Sequence, residues 1–252
     1  MRRTRVIPVL LIHNEGVYKT TKFKDPQYIG DPINAIRLFN DLEADEIIIL
    51  DIDASKSGKS PDLNTIEDIV SEAFMPVAYG GGINNKSLAG KILRLGVEKI
   101  IFNHAAQQDE TIVRECIKSF GASSIIVCVD YTWSSSGLYQ QLNHVDSRVT
   151  DLSLAEAVGK AQKLGAGEIM INSVDRDGVM KGLDIKNITE IEPALDVPLI
   201  VCGGAGTIED LKEASDAGAN AIAAGSMFVY LGKLKGIMIN YPSDETLRQC
   251  LG

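Results

Sequence analysis

An internal repeat with an offset of 122 residues is the feature that most limits how this 252-residue chain can fold. An apolar run opened by proline precedes each of two glycine-rich loops, GGGI and GGAG. The segments that share the offset are Pro76 with Pro198, Gly81 with Gly203, residues 44–53 with 166–175, and residues 95–103 with 217–225. Such agreement is not expected by chance. We therefore predict two duplicated half-barrels, about residues 1–122 and 123–252, within a single domain.

Eight short runs rich in isoleucine and valine alternate with helical patterns along the chain. Nearly continuous apolar runs are typical of parallel strands that are buried on both faces. Between the runs, Asp31 and Pro32 form a helix start, and Gly96 and Gly218 suit left-handed helix ends. The alternation predicts an α/β protein with a closed (β/α)8 TIM barrel. The predicted strands are residues 5–12, 46–50, 76–79, 99–102, 124–129, 168–171, 198–201 and 221–224.

The acidic charge balance limits the partners that the chain can bind. A net charge of −9 argues against nucleic acid or an anionic membrane as the main partner. An anionic substrate must then be held by local backbone N–H groups and a few lysines. No apolar stretch approaches the ~20 residues of a membrane span, and the N-terminal apolar run is too short for a signal peptide. Four cysteines without CxxC spacing predict free thiols, and we expect a cytoplasmic protein.

Each glycine-rich loop stands where a predicted strand gives way to a helix. In barrels of this kind the chemistry lies at the C-terminal ends of the strands. Glycine lets the backbone approach a phosphate closely, and the N-terminus of the following helix presents free N–H groups. Because the two loops are in repeat register, we predict a substrate that carries a phosphate at each end. The polar segment 131–151, after the fifth strand, is long for a loop and predicts a hairpin or a mobile lid.

Seven motifs spread over the whole chain resemble one family, the cyclase subunit of imidazole glycerol phosphate synthase (HisF). They are IPVLL, LDIDAS, YGGGI, FNHAA, VDRDGV, CGGAG and AAGSMF. Members of that family are (β/α)8 barrels that accept ammonia from a partner glutaminase. They use it to cleave and cyclise a long bisphosphate substrate. The resemblance implies no metal and no cofactor.

The resemblance also implies the residues of the site. One phosphate would be bound by Gly82 and Asn103, although His104 replaces the usual threonine beside Asn103. The catalytic positions that match the family are Asp130, Lys19 and Asp51. The second phosphate would be bound by Asp177, Gly178, Gly204, Gly225 and Ser226.

The chain departs from the family at the end of the first strand, where the cyclase has a carboxylate paired with the one at Asp130. Leu11 stands there instead. Two carboxylates can divide acid and base roles because each changes the pKa of the other. A leucine can neither donate nor accept a proton. His13 lies two residues farther on and is expected in the loop above the strand. It is the one substitute that the sequence suggests. Leu11 therefore argues against the histidine-pathway reaction.

Charged residues open four of the predicted strands, and the resemblance implies that they form the gate where ammonia enters. These residues are Arg5, Glu46, Lys99 and Glu168, and Glu46 and Glu168 are one offset apart. We expect a HisH-like glutaminase to dock at this end of the barrel, around the four residues and Glu98. The interior above them is expected to be apolar, with Val127 and Ile171 facing it, which suits neutral ammonia.

Three functions remain open, besides the weaker option of a sugar-phosphate isomerase, which would not need the charged residues at the strand starts. The first is a HisF-like subunit that transfers nitrogen from a glutaminase to a phosphorylated sugar-type substrate. In this case the chain resembles divergent paralogues of surface-polysaccharide pathways, which build an acetamidino group with a third, ligase-type protein. The second is the genuine cyclase of histidine biosynthesis. The third is a non-catalytic scaffold that conducts ammonia to another active site.

Overall fold

The computed structural model describes residues 3–232 and 234–252. Met1 and Arg2 of the basic N-terminus, and Lys233, lie outside the described residues. The strands of the described part are β1 Arg5–His13, β2 Gly16–Thr21, β3 Lys24–Gly30, β4 Ile47–Asp51, β5 Val77–Gly80, β6 Lys99–Phe102, β7 Ile125–Trp133, β8 Tyr139–Asn143, β9 Arg148–Ser153, β10 Glu168–Ser173, β11 Leu199–Cys202, β12 Ala221–Ala224, β13 Tyr230–Leu231 and β14 Gly236–Ile237. Its α-helices are α1 Pro32–Asp41, α2 Ala54–Ser57, α3 Leu63–Glu72, α4 Lys86–Arg94, α5 His104–Gln108, α6 Glu110–Phe120, α7 Leu154–Leu164, α8 Ile185–Ile191, α9 Ile208–Asp216 and α10 Asp244–Leu251.

Eight parallel strands close into a barrel. The order around it is β1, β4, β5, β6, β7, β10, β11 and β12, and β12 pairs with β1 to complete the circle. The predicted (β/α)8 TIM barrel is therefore confirmed. Four of the strands come from the first predicted half-barrel and four from the second. The boundary near residue 122 stays a prediction from the repeat.

Two separate apolar cores follow from the alternation of side chains along each strand. Along β1, Val6 and Leu10 pack outward against the helices, whereas Ile7 and Val9 belong to the smaller core inside the barrel. This inner core holds Ile48, Ile101, Ile126, Cys128 and Met170, among others. The prediction that Val127 and Ile171 face the interior is wrong, because both belong to the outer core. A strand buried on both faces has no apolar–polar alternation from which the inward residues can be read.

Helix ends follow the expected local chemistry. The Asp31 carboxylate accepts a hydrogen bond from the Asn34 backbone N–H at the start of α1, with Pro32 in the first turn. Helix α9 begins with a capping box in which Thr207 and Asp210 bond each other's backbone. Such caps satisfy the free N–H groups of the first turn. They also orient each helix as it leaves its strand, at the end of the barrel where the site lies.

Two antiparallel extensions rise from the C-terminal end of the barrel. β1 pairs with β2 and β2 with β3, so residues 11–30 form a β-meander that the sequence did not predict. β7 continues to Trp133 and pairs with β8, which pairs with β9. The segment 131–151 is therefore hairpin-like, one of the two forms predicted for it.

Among the described residues, none of the helices is long and apolar enough to cross a membrane. The four cysteines are free thiols, as predicted, and Cys116, Cys128 and Cys202 are buried. No cluster of side chains suited to a metal ion occurs in residues 3–232 and 234–252.

Candidate functional site

A cavity of about 990 Å³, including its open mouth, lies at the C-terminal end of the barrel. Asp130, from β7, lies in its wall and is almost fully buried. Side chains from several strand ends and from both antiparallel extensions line the rest. This is the end of the barrel at which active sites of the fold are found. The cavity is called the top cavity below.

Asp130 is held by amide groups from the strands on either side. Asn103, just after β6, donates its Nδ2 proton to Asp130 Oδ2 at 2.7 Å. Asn172, on β10, donates to Asp130 Oδ1 at 3.2 Å, and the two residues are direct neighbours in the β7–β10 register. The two amide donors hold the carboxylate in place from both sides. Asn103 also accepts a bond from Gln107 at 3.0 Å. Its side chain is therefore turned toward Asp130, and only its backbone is left for a phosphate.

Leu11 lies in the wall of the same cavity as Asp130 and packs with Leu50 on the inner core. An apolar surface therefore stands where a second carboxylate would be needed. His13 does not replace it. It is the last residue of β1 rather than part of the loop, and its Nδ1 lies 2.7 Å from Asp53 Oδ1. Its Nε2 lies 3.0 Å from Asn14 Nδ2, so both ring nitrogens are already engaged.

A different histidine reaches Asp130. His144 follows β8 in the hairpin above β7, and its Nδ1 lies 3.3 Å from Asp130 Oδ2 without forming a hydrogen bond. Asn143 holds the turn in place, because its Oδ1 accepts from the Val145 backbone N–H at 3.0 Å. The ring of His104 packs edge to face on His144 with centroids 6.2 Å apart. Thus His104, which replaces the usual threonine of the family beside Asn103, packs against a second histidine in the cavity.

The first glycine loop, residues 80–83, borders the top cavity. Gly81 has φ +111°, and a side chain there would collide with the Asp51 carbonyl oxygen. The Gly82 N–H donates to Ser55 Oγ at 3.0 Å. Asp51 Oδ1 accepts from the backbone N–H groups of Asp53 and Ala54, both at 2.9 Å. Asp51 therefore shapes the loop after β4 as well as lining the cavity.

The second glycine loop, residues 203–206, lies against the segment that follows β10. Gly204 has φ +116°, and a side chain there would collide with the Gly182 carbonyl. A side chain at Gly178 would collide with the Thr20 carbonyl. Gly225 lies against Lys19, since an added Cβ would stand 2.6 Å from Lys19 Nζ. Ser226, which follows Gly225, is buried and begins a 3-10 turn. The meander thus covers the second predicted phosphate site and carries Lys19 into it.

Lys19 and Asp177 are both buried here, and their pKa values move toward each other. Burial lowers the pKa of Lys19 to about 8, although Asp177 works in the opposite direction. Burial raises the pKa of Asp177 to about 6, against the effects of Lys19 and of the Thr20 hydroxyl. Lys19 Nζ also donates to the Val9 carbonyl. Near neutral pH, Lys19 is therefore mostly protonated and Asp177 mostly ionised.

At the opposite end of the barrel the four predicted gate residues form one closed ring of ion pairs. Arg5 bonds Glu46 at 2.6 Å and Glu168 at 3.1 Å. Lys99 bonds Glu46 at 3.0 Å and Glu168 at 3.1 Å. Burial alone would lower the pKa of Arg5, but Glu168 and Glu46 raise it above its usual value. Because each charge in this charged ring has two opposite partners, their partial burial is compensated.

The sequence missed two residues that the top cavity brings together. His144 gave no signal, because its approach to Asp130 depends on the hairpin folding back over β7. Asn172 lies one residue beyond the predicted sixth strand, residues 168–171. With the strand extended to Ser173, the inward register that contains Glu168 and Met170 also contains Asn172.

Known proteins resemble this chain over nearly its whole length. A profile of the family described as "Histidine biosynthesis protein" matches residues 5–235. A Pseudomonas aeruginosa protein, provisionally named imidazole glycerol phosphate synthase subunit hisF2, is 44% identical over 98% of this chain and 99% of its own. A Vibrio vulnificus protein, provisionally named subunit hisF3, is 43% identical over 100% and 97%. The imidazole glycerol phosphate synthase subunit HisF of Thermobifida fusca is 34% identical over 89% and 90%.

Proposed function

Because the chain belongs to the family of histidine biosynthesis proteins, we propose that it is a HisF-type synthase subunit that receives ammonia from a glutaminase. It transfers the nitrogen to a phosphorylated, sugar-type substrate in the top cavity. The observation that carries this proposal is the charged ring at one end of the barrel, with Asp130 in the cavity at the other. Between them lie apolar side chains of the inner core, including Ile48, Ile126 and Met170. An apolar passage favours neutral ammonia over ammonium.

We assign the substrate two anionic ends. One would meet the first glycine loop, where Ser55 and Lys56 also line the cavity. The other would meet the second predicted phosphate site, where Lys19 is buried beside Gly225. Glycines that allow close backbone approach, together with a lysine, supply donors to phosphate without a general basic surface. Such local donors suit a protein with a net charge of −9.

The finer proposal is a divergent paralogue that serves acetamidino-sugar synthesis with a third, ligase-type protein. Leu11 in the wall beside Asp130 supports it, because the usual carboxylate pair is broken. The pattern of identities agrees. The four relatives at 42–44% carry provisional names, whereas those named HisF without that qualification match at 32–34%.

Phe74 offers an anchor for the glutaminase. It lies between α3 and β5, at the same end of the barrel as the charged ring, and is 87% exposed. Its backbone N–H donates to Asn40 Oδ1 at 2.9 Å, and Asn40 also donates to the Glu72 carbonyl at 2.8 Å. A large apolar side chain on a fixed loop is a typical interface anchor, since little freedom is lost on binding.

The partner is tested by calorimetric titration of the purified barrel with the glutaminase encoded beside it. We expect a one-to-one complex. Phe74→Asp should weaken it at least about tenfold, a common cost of losing an anchor residue. Leu138→Asp is the matched control, because Leu138 is also exposed but lies in the loop between β7 and β8 at the other end. A barrel that binds no glutaminase would refute the proposed partner.

The nitrogen transfer is tested by supplying the complex, the neighbouring ligase and the amino-sugar acceptor with glutamine labelled with ¹⁵N at its amide. Label should enter the sugar only when the barrel is present, and ammonium salts in excess should make the glutaminase dispensable. Asp130→Asn separates a catalytic barrel from a scaffold. A catalytic barrel loses the transfer, while a scaffold that only conducts ammonia keeps it.

A further inference from the structure

His144 and Asn172 each present an unsatisfied polar atom beside Asp130. His144 Nδ1 and Asn172 Oδ1 are both buried, and neither has a hydrogen-bond partner. Asn172 is only 7% exposed, and both residues line the top cavity. Buried polar atoms without partners are costly, so the position of His144 Nδ1, 3.3 Å from Asp130 Oδ2, calls for a functional explanation.

The chain has three histidines, and the structure separates them clearly. His13 is held between Asp53 and Asn14 at the end of β1. His104 Nδ1 lies 3.2 Å from Asn143 Oδ1, in the wall of the cavity. Only His144 places a ring nitrogen next to Asp130, at 3.3 Å. Its side chain is 21% exposed and lines the top cavity, although Nδ1 itself is buried.

We propose that His144 supplies the second proton-transfer group that Leu11 cannot, and that it acts with Asp130 as the acid–base pair of the top cavity. This inference rests on the proposed function, because it assumes that ammonia attacks a substrate held there. The two groups of this pair come from β7 and from the turn between β8 and β9, rather than from β1 and β7.

The proton balance of one addition step shows why the two groups must be close. The nitrogen of ammonia forms a bond to a carbonyl carbon of the substrate, and the π electron pair moves onto the carbonyl oxygen. Asp130 accepts one proton from the nitrogen and passes it across 3.3 Å to His144 Nδ1, while the opposite ring nitrogen, Nε2, donates its proton to the oxygen, giving a neutral amino alcohol. Exchange of the ring protons with solvent then returns His144 to its starting tautomer, and Asp130 is again a carboxylate. A leucine at position 11 need not take part.

A double-mutant cycle tests the proposal. Wild type, His144→Asn, Leu11→Asp and the double variant are assayed with excess ammonium chloride and the bisphosphate substrate of the histidine-pathway cyclase as the probe. In the wild-type background, His144→Asn should lower kcat by about 10²-fold or more, the usual size of one acid–base group, with KM changed less than about threefold. In the Leu11→Asp background the restored carboxylate should reduce that loss to about fivefold or less.

His13→Asn is the matched control and should change kcat in neither background. Binding of the bisphosphate to each variant, measured by calorimetry, separates a lost proton donor from a collapsed cavity. Equal losses from His144→Asn in both backgrounds, or no loss in the wild type, would overturn the role of His144. If none of the four proteins consumes the probe, the role assigned to His144 falls; if, in addition, no nitrogen reaches the amino sugar in the labelling test above, the proposed function itself falls.

Discussion

Glu46 and Glu168 stand one repeat apart in the sequence and share the same two cations. Each accepts a bond from Lys99 and from Arg5, so the glutamates lie opposite each other in a ring of alternating charge. Glu46 is 4% exposed, which means that removing a cation leaves a buried carboxylate with half of its compensation.

Lys99→Ala should make the complex leak ammonia. Removing the lysine opens one side of the charged ring, so we expect glutamine hydrolysis to continue while coupled product falls several-fold. Lys118→Ala, at an exposed lysine of α6, is the control and should keep both rates. The measurement is the ratio of glutamate to coupled product. An unchanged ratio would mean that the charged ring only closes the barrel floor.

Leu11→Asp should raise turnover of the histidine-pathway bisphosphate above a weak wild-type rate. The new carboxylate would stand in the cavity wall with Asp130, and one acid–base group contributes about 10²–10⁴ in rate. It would also cost stability, because Leu11 packs with Leu50. Leu11→Asn, similar in size and unable to ionise, is the control. Rapid turnover by the wild type with ammonium salts would contradict this prediction.

Sulfate should bind at the second predicted phosphate site, and its affinity should change with pH in two steps. Above about pH 6 Asp177 is ionised and repels the anion, and above about pH 8 Lys19 loses its charge. Sulfate stays doubly charged throughout, so affinity should fall as pH rises through each value. Asp177→Asn should remove the first step and tighten binding at pH 7.5 by about fivefold, since a nearby like charge costs on the order of 1 kcal/mol.

The measurement for that prediction is calorimetric titration from pH 5 to pH 9 with the wild type, Asp177→Asn and Lys19→Met. Lys19→Met should remove the second step and weaken binding at every pH below it. Affinity that rises with pH, or the same profile in all three proteins, would exclude both residues from the anion site.

Gly204→Ala should destabilise the fold strongly. The residue has φ +116°, and the new methyl group would meet the Gly182 carbonyl, so we expect a loss of about 3 kcal/mol in the free energy of unfolding. Gly159→Ala is the control. Gly159 lies in helix α7 with open space around it, and alanine there should add about 0.5–1 kcal/mol. Urea unfolding measures both, and a neutral Gly204→Ala would refute the close approach.

The sequence predicted most of the barrel because each parallel strand is a compact apolar run. Residues 99–102 and 221–224 coincide with β6 and β12, and the second strand differs only by one residue at each end. Strand orientation was harder. Apolar side chains fill both faces of β7 and β10, so nothing local distinguishes Ile126 from Val127. In the four strands that open with a charged residue, that residue would have indicated which alternate positions face the barrel interior.

The site residues were predicted from the resemblance to the family. The positions at which this chain differs from the family could be interpreted only with the structure. Leu11 was visible as a missing carboxylate, but the contact of His144 with Asp130 joins two segments through a hairpin whose register no local pattern sets. Asn103 was expected at a phosphate, whereas its side chain bonds Asp130 and Gln107. Which hydrogen-bond partner such a side chain takes depends on the residues that surround it in the fold.

The charged ring would also affect how the two predicted half-barrels pair. Residues up to about 122 carry Arg5, Glu46 and Lys99, and the remainder carries Glu168 alone. Two copies of the first half would bring together four cations and two anions, whereas the first half beside the second brings two of each. Separately produced halves should therefore prefer the mixed pair to either self-pair at low ionic strength. In that case the charged ring would favour the pairing of the two predicted half-barrels that the native barrel contains.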